Sequence, residues 1–329
     1  MELQSRYEFL FYIECANGNP NGDPDMGNTP RIDPQDMRGY ITDVAIKRRI
    51  RNYIQMAYEG KTGMRIIMQN ATNINKAIAE AHENTEGKAS KDKNRVNTAR
   101  NYACENFYDV RTFGAVLSTG LNAGQVRGPV QLTFAKSVEP ILPLDISITR
   151  MLVAENVKGA TTVADYEKWE HEQNEDKLRT MGRKQFISHG LYEARGFISA
   201  NLANETGFDE EDLKVLFESI LNMYEHDRSA SKGHMSVVSP LIIFRHVGTD
   251  SNEEQRIRQA KLGCAAAHKL FDLVSIKKKE GVEFARSYHD FDLSLDLNNV
   301  PRGVEVGFLS NPFDEISWGK VEGDWINRG

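Results

Sequence analysis

The sequence has few cysteines, and their spacing excludes a disulfide framework. Cys15, Cys104 and Cys264 are odd in number and far apart, and no CxxC pair occurs. Disulfide-rich secreted domains and structural zinc sites need paired, closely spaced thiols. We therefore predict three reduced, mostly buried thiols in a cytoplasmic protein.

Long apolar runs are also missing. The longest ones have the length of a β-strand, and the chain opens on the polar segment "MELQSRYE". A membrane-spanning helix needs about 20 apolar residues, and a signal peptide needs an apolar stretch behind a basic start. We expect neither a signal peptide nor an association with a membrane.

The motifs of several enzyme classes are absent. Neither G-x-S-x-G nor H-E-x-x-H occurs, and the eight histidines show no metal-ligand spacing with cysteine. The letters "GKT" at residues 60–62 resemble the end of a P-loop, but the position of the required earlier glycine is Gln55. We expect no cofactor, no bound metal and no catalytic residue.

Positive charge is not in excess. The 329 residues include 41 Lys and Arg against 47 Asp and Glu, which gives a net charge of -6. A strongly basic nucleic-acid-binding protein is excluded, so any nucleic-acid site must be a local basic patch on an acidic body. The length fits one large domain with insertions or two small ones.

Turn-forming residues are abundant in one segment, which we name the opening loop. The stretch "ANGNPNGDPDMGNTPRID", residues 16–33, directly follows the apolar run "YEFLFYIEC". Its spaced asparagines are similar to the start of a calcium-binding EF-hand loop. The match then fails, because position one is Asn17 and position twelve is Asn28 where a bidentate Glu is needed. Turn chemistry is the interpretation that remains.

Periodicity predicts the main elements. A first strand places Tyr7, Phe9, Phe11, Ile13 and Cys15 on one face, and a helix follows from Thr42 to Tyr58. Further strands are predicted at 64–70, 128–135, 144–152, 184–199, 235–247 and 288–297, and further helices at 72–83, 95–107, 209–227 and 259–274.

The polar segment 153–184 has no strong apolar face. It is either an insertion that projects from the body or a mobile loop. The main elements run strand, helix, strand, strand, helix, strand. This is the ferredoxin-like or RRM-like order of an α+β fold, with large insertions between the elements.

The first helix carries a concentrated basic stripe. At 100 degrees per residue, Lys47, Arg48 and Arg51 lie together beside the apolar face, and Arg49 lies apart from them. The stripe suits contacts with phosphates, and it also suits an ordinary solvated helix face. Two later segments, "DVRTFGAVLSTG" and "AGQVRGPVQ", place Arg111 and Arg127 near glycines that permit a close backbone approach.

Several motifs in order carry a family resemblance. They are "NGNPNGDPD", "PRID", "TDVAIKRRIRNYI", "DVRTFGAVL", "VRGPVQLTFA", "SITRM" and "TMGRKQFISHGLY". Across about residues 7–250 the chain resembles the backbone subunit of type I-C CRISPR surveillance complexes, the Cas-seven family of Cascade-type assemblies. The resemblance implies an RRM-like palm, inserted helical fingers and a protruding thumb.

The resemblance also implies a function. Several copies are expected to stack head to tail along a CRISPR RNA, to present the guide for pairing with target DNA, and to meet a guide-processing or capping subunit and a large subunit. The fingers would be residues 60–125 and the thumb 151–184, in a single palm domain of residues 1–329. The implied RNA-binding residues are Arg31, Arg38, Lys47, Arg48, Arg51, Arg111, Arg127, Arg150, Met151, Met181, Arg183 and Lys184.

One alternative comes from related type III backbone subunits, which cut target RNA with an Asp in the loop after the first strand. Asp23, Asp25 and Asp33 occupy that loop here. A loop Asp could recruit a magnesium ion, but the Asp-Pro and Asn-Gly dipeptides fit turn chemistry better. We expect a protein that holds RNA and is not an enzyme.

Overall fold

The computed structural model describes residues 1–85 and 93–319 of the chain. The strands are β1 (Tyr7–Gly18), β2 (Gly22–Asp23), β3 (Thr29–Pro30), β4 (Arg38–Ile41), β5 (Gly114–Val116), β6 (Gln125–Arg127), β7 (Val130–Leu132), β8 (Ala135–Pro140), β9 (Pro143–Arg150), β10 (Thr180–Ile198), β11 (His234–Val237), β12 (Leu241–His246), β13 (Val274–Lys278), β14 (Phe291–Leu295), β15 (Val304–Leu309) and β16 (Ser317–Trp318).

The helices lie between groups of these strands along the chain, so the fold is mixed α and β. They are α1 (Asp43–Ala57), α2 (Ile74–Glu83), α3 (Lys93–Asn106), α4 (Tyr108–Phe113), α5 (Val163–His171), α6 (Ala200–Thr206), α7 (Glu210–Asn222), α8 (Glu253–Leu262) and α9 (Ala267–Phe271). None of them combines the length and the apolarity that crossing a membrane requires, within the described ranges.

A large antiparallel sheet forms the centre of the molecule. Its strands lie in the order β16-β15-β12-β1-β10-β8-β4, while β7 and β9 also pair with β10 and β11 also pairs with β1. With α1 and α7, the strands β1, β8, β10 and β12 follow one another as strand, helix, strand, strand, helix, strand. These four strands lie side by side in the order β12-β1-β10-β8.

The first strand is buried on both faces. The predicted face, with Phe9, Phe11 and Ile13, packs against buried residues of α1 and α7, which confirms the alternation. The other face carries Leu10 and Tyr12, which pack against α9 and the β13–β14 hairpin. The C-terminal segment therefore covers the side of the sheet that α1 and α7 leave open.

Several predicted elements differ from the structure, and hydrogen bonding or backbone conformation explains three of these differences. Residues 64–70 do not form a strand, because the backbone amides of Ile67 and Met68 donate to the Asp109 carboxylate at 2.9 and 3.2 Å. The predicted strand 235–247 is split between β11 and β12.

The split lies at Val238–Pro240. Here the Tyr12 amide donates to the Ser239 hydroxyl at 2.9 Å, and Pro240 has no amide proton to donate. The predicted helix 259–274 is likewise two helices, since Gly263 adopts a positive φ of 99° after α8. A backbone in that conformation cannot continue a helix.

Residues 67–85 and 93–123 form a helical module with a core of their own. Its helices α2 and α3 pack through alanines, which let the two backbones approach closely. The cluster comprises Ile67, Ile78, Ala81, Ala99, Ala103, Cys104, Phe107, Val110, Ala115, Leu117 and Ala123. The boundaries 60–125 for a finger-like unit stay a prediction, and part of the predicted link 84–94 lies outside the described residues.

The segment between β9 and β10 leaves the body as a two-stranded ribbon. The ladder runs from Pro143 opposite Ile187 to Arg150 opposite Thr180, and residues 151–179 join its outer ends. All residues from 142 to 186 are described, and none of them is buried. At the tip, α5 begins with a capping box in which Thr162 and Asp165 satisfy each other's backbone amides.

Candidate nucleic-acid interface

The opening loop fixes the start of the first helix. The side-chain oxygen of Asn21 accepts hydrogen bonds from the Thr42 amide at 2.9 Å and the Thr42 hydroxyl at 3.0 Å. The same hydroxyl accepts from the Ala45 amide at 3.2 Å and so caps α1. An amide in the loop therefore sets where α1 begins relative to β1.

Turn chemistry accounts for the composition of this loop. Gly27 and Asn28 both adopt a φ of 63°, a conformation that glycine and asparagine tolerate best. The Asn28 carbonyl accepts from the Asn19 side-chain amide at 2.6 Å, which closes the loop on itself. The repeated Asn and Gly residues thus build a folded loop rather than a calcium site.

Two of the loop carboxylates are engaged in turns and ion pairs. Asp23 accepts from the Asp25 amide at 3.1 Å and lies 3.0 Å from the Arg31 guanidinium. Asp33 accepts from the Gln35 amide at 3.0 Å. In the described ranges no group of three or more His, Cys, Asp or Glu residues is placed to hold a metal ion.

Three segments meet at the end of β1. The Asn19 amide donates to the Ser231 carbonyl at 2.8 Å, and the Lys184 ammonium of β10 donates to the Ala230 carbonyl. Gly18 lies so close to the Lys232 backbone that an added Cβ would sit 1.8 Å from its carbonyl oxygen. We call this region, formed by the opening loop, residues 227–233 and Lys184 of β10, the β1-end face.

The predicted stripe on α1 mostly faces the helical module. The Lys47 ammonium lies 3.0 Å from Asp43, and Arg48 donates to the Met68 carbonyl at 3.1 Å. Arg51 is only 12% exposed and pairs at 2.8 Å with Asp109, which is fully buried. The stripe therefore joins α1 to the module, and Arg48 is its half-buried outer member.

Arg111 belongs to the core. It is 7% exposed and forms a bidentate pair with Asp212, with both N–O distances at 2.7 Å. It also donates to the Gly63 carbonyl at 2.6 Å. Burial lowers the pKa of the Arg111 guanidinium, but the hydrogen bonds to Asp212 and the charge of that carboxylate outweigh burial and leave the pKa raised. The predicted phosphate contact stays a prediction, and this geometry favours a structural role.

The remaining predicted residues fall into two separate groups. Arg150, Met151, Met181 and Arg183 lie exposed on the ribbon between β9 and β10, with Lys184 half-buried at its base. Arg31 and Arg38 lie in and beside the opening loop, and Arg127 lines a cleft with Arg6 and Lys261 near the start of β1. Arg127 is therefore remote from the β1-end face.

A charged cluster at the β1-end face is not apparent from the sequence. Arg49, placed apart from the stripe by its helical angle, lies 2.6 Å from Asp227, and Asp227 also pairs with Lys232. Burial lowers the pKa of the Lys232 ammonium, and the nearby Arg49 charge lowers it further. Only the angular separation of Arg49 hinted at this cluster, because no spacing rule links residues that lie so far apart in the chain.

Comparison with known proteins places the chain in a family. A family model described as "CRISPR-associated protein Cas7" matches residues 5–296, which is most of the chain. The chain belongs to the Cas7 family. A curated CRISPR-associated protein Cas7 of Haloferax volcanii is 44% identical over 55 residues, and that match spans 17% of this chain and 16% of the relative.

Solved structures with a similar arrangement are chains of two CRISPR assemblies. One is a "CRISPR RNA-guided surveillance complex, pre-nicking", whose chain is 13% identical, with a TM-score of 0.45 and coverage of 80% of this chain and 84% of that chain. The other, a "CRISPR RNA-guided surveillance complex", is also 13% identical, with a TM-score of 0.40 and coverage of 79% and 76%.

Proposed function

We propose that this Cas7 family chain is an RNA-binding backbone subunit of a type I-C CRISPR surveillance complex. Copies would stack head to tail along a CRISPR RNA and leave its bases free to pair with target DNA. A guide-processing or capping subunit and a large subunit would complete the assembly in the cytoplasm. The observation that carries the proposal is the Cas7 family match across residues 5–296.

The order of the central strands supports an RRM-like palm. Four antiparallel strands in the order β12-β1-β10-β8, with α1 and α7 packed on one face, follow the ferredoxin-like chain order. The module with its own core at residues 67–85 and 93–123 would be the fingers, and the ribbon with residues 151–184 the thumb.

The distribution of charge supports phosphate contacts at the base of the thumb. Arg183 is 80% exposed and lies 3.6 Å from Asp145, and the next residue, Lys184, projects to the other face of the strand at the β1-end face. The tip of the ribbon is acidic, because residues 163–176 carry six carboxylates and one lysine. We assign the phosphate contacts to the base of the ribbon, since an acidic tip repels phosphates. Such contacts hold a guide without reading its sequence.

The opening loop supports a role in holding RNA rather than cutting it. A hydrolase needs a positioned base or a metal-activated water. Asp23 is already paired with Arg31, and Asp33 accepts a turn hydrogen bond. We propose that these carboxylates shape the loop beside the RNA and that the chain is not an enzyme.

The salt dependence of RNA binding tests the phosphate contacts. We expect the triple variant Arg48→Ala, Arg183→Ala, Lys184→Ala to bind a guide-length CRISPR RNA more weakly. The slope of log K against log salt should fall by about 0.7 for each phosphate of the single strand that the variant no longer neutralises. Arg51 is left intact, because its removal would strand the buried Asp109 carboxylate.

A matched variant controls for the loss of charge alone. Arg258, Lys269 and Arg302 are exposed, and their replacement by alanine removes the same two arginines and one lysine elsewhere on the surface. The control should keep the wild-type slope. If the folded test variant also kept that slope, the assignment of phosphate contacts to the thumb base would be wrong.

A further inference from the structure

A stacked aromatic pair, the exposed Phe134 and the half-buried Tyr40, lies at one edge of the central sheet. The alternation of 128–135 predicts Phe134 as a buried residue beside Val130 and Leu132, yet its side chain is 55% exposed. The ladder to β10 stops at Leu132 and β8 begins at Ala135, so Phe134 falls between two strands. Its ring stacks on Tyr40, with centroids 5.9 Å apart and planes 10° apart.

Phe134 lines a cleft on the face of the sheet that the C-terminal segment covers elsewhere. Tyr40 lies opposite Lys136, and Lys136 lies opposite Glu193, so these side chains project to the same face. Residues of β13 form the facing wall, and the cleft has a volume of about 620 Å³. That volume lies within the range of small-molecule sites.

The polar groups in the cleft include both hydrogen-bond donors and a hydrogen-bond acceptor. Arg38, Lys136 and Arg195 supply donors, and Glu193 supplies a carboxylate that already accepts from Tyr12 and Arg195. Lys136 lies 2.7 Å from Asp36 and 3.9 Å from Asp33, so its charge is largely compensated. Arg38 forms no ion pair with a described residue, and its guanidinium reaches only the Ser137 carbonyl, at 3.5 Å.

This chemistry matches a nucleobase better than a bare phosphate. A site for an inorganic anion concentrates cations, whereas a base offers a flat apolar face together with hydrogen-bond donors and acceptors. An exposed ring gives that face a stacking surface, and one uncompensated arginine suits the phosphate attached to the same nucleotide.

We propose that the cleft between β4–β8 and β13 binds one base of a single-stranded RNA, which stacks on Phe134 while Arg38 contacts its phosphate. The inference rests on the proposed function for the presence of RNA, but it adds a base-binding site on the opposite face of the sheet from α1. At this site the stacking of the base on Phe134 does not depend on charge, whereas the contact of Arg38 with the phosphate does.

Substitutions at Phe134 test the stacking contact. We expect Phe134→Ala to weaken binding of a guide-length CRISPR RNA to the full chain about 5- to 150-fold. The salt slope should stay at the wild-type value, because no phosphate contact is removed. Phe134→Tyr keeps the ring and should bind like the wild type, whereas Phe134→Leu keeps apolar area without a ring and should bind weakly. Phe313→Ala, at a ring that is 78% exposed elsewhere, is the matched control.

The outcomes separate this inference from the proposed function. Wild-type affinity in a folded Phe134→Ala variant overturns the base site and leaves RNA binding intact. Normal affinity of each copy together with failed assembly of several copies also overturns it, since the ring pair would then contact protein. A wild-type chain that binds no RNA overturns both. Photocrosslinking of thiouridine-labelled RNA to Tyr40 or Phe134, mapped by mass spectrometry, supports the site directly.

Discussion

Arginines that look alike in the sequence have different partners in the fold. Arg51 and Arg111 each pair with a buried carboxylate, while Arg183 is 80% exposed and lies 3.6 Å from Asp145. Helical periodicity predicted the position of Arg51 beside the apolar face of α1, but it could not predict that Asp109 lies opposite. The position of a residue on a helix predicts the direction of its side chain. Whether that side chain contacts solvent or a carboxylate depends on tertiary packing.

Removal of Arg111 is expected to cost stability rather than RNA affinity. Arg111→Ala should lower the free energy of unfolding by about 3–5 kcal/mol, because Asp212 would stay buried without its partner. Urea unfolding measures this change, and the exposed Arg127→Ala should stay within about 0.5 kcal/mol of the wild type. Wild-type stability combined with a loss of RNA affinity would instead make Arg111 a phosphate ligand.

Elements with strong periodicity were predicted well from the sequence. The first strand and α1 form close to their predicted bounds, and Ile46 and Ile50 on the apolar face of α1 are buried. The helix α7 begins as predicted but ends at Asn222, five residues before the predicted end. These segments could be predicted because their apolar residues recur on one face over several helical turns or several residue pairs of a strand. The prediction of a strand was wrong at residues 64–70 and 238–240, because a side chain there accepts the backbone hydrogen bonds that a neighbouring strand would otherwise accept.

The thumb-like segment is expected to be dispensable for folding. Deleting residues 153–178 removes no buried side chain, and the Thr180 hydroxyl donates to the Leu152 carbonyl at 3.0 Å, so a short glycine linker can join the ends. The variant should melt cooperatively near the wild-type temperature. On RNA it should lose the regular spacing between bound copies, as measured by nuclease footprinting.

Two results would contradict this prediction. An insoluble deletion variant would show that the segment contributes to folding, despite the exposure of residues 142–186. An unchanged footprint would show that the segment does not set the spacing between copies. As a control, Met151→Ala and Met181→Ala shorten only exposed side chains at the ribbon and should leave the melting temperature unchanged.

At the scale of the whole molecule, an acidic chain can bind RNA only where the fold gathers its cations. The net charge of -6 predicted a local site, and the fold brings Lys184, Lys232 and Arg49 to the β1-end face from distant parts of the sequence. Neither this gathering nor the exposure of Phe134 could be predicted, since both depend on contacts between segments that are remote from each other in the chain.

The last prediction is that the assembled protein leaves complementary RNA intact. Guide-loaded wild type should bind a labelled complementary RNA with magnesium present and not cut it. The reason is that Asp23 is paired with Arg31, whose charge competes with a metal ion for the same carboxylate, and that Asp33 serves a turn. We expect the same uncut target with Asp23→Ala, Asp25→Ala and Asp33→Ala. Of these variants, Asp23→Ala should also loosen the opening loop, whereas Asp25→Ala should behave like the wild type. Cleavage at regular intervals that disappears with one of these substitutions would show instead that the loop carries a metal-dependent ribonuclease site.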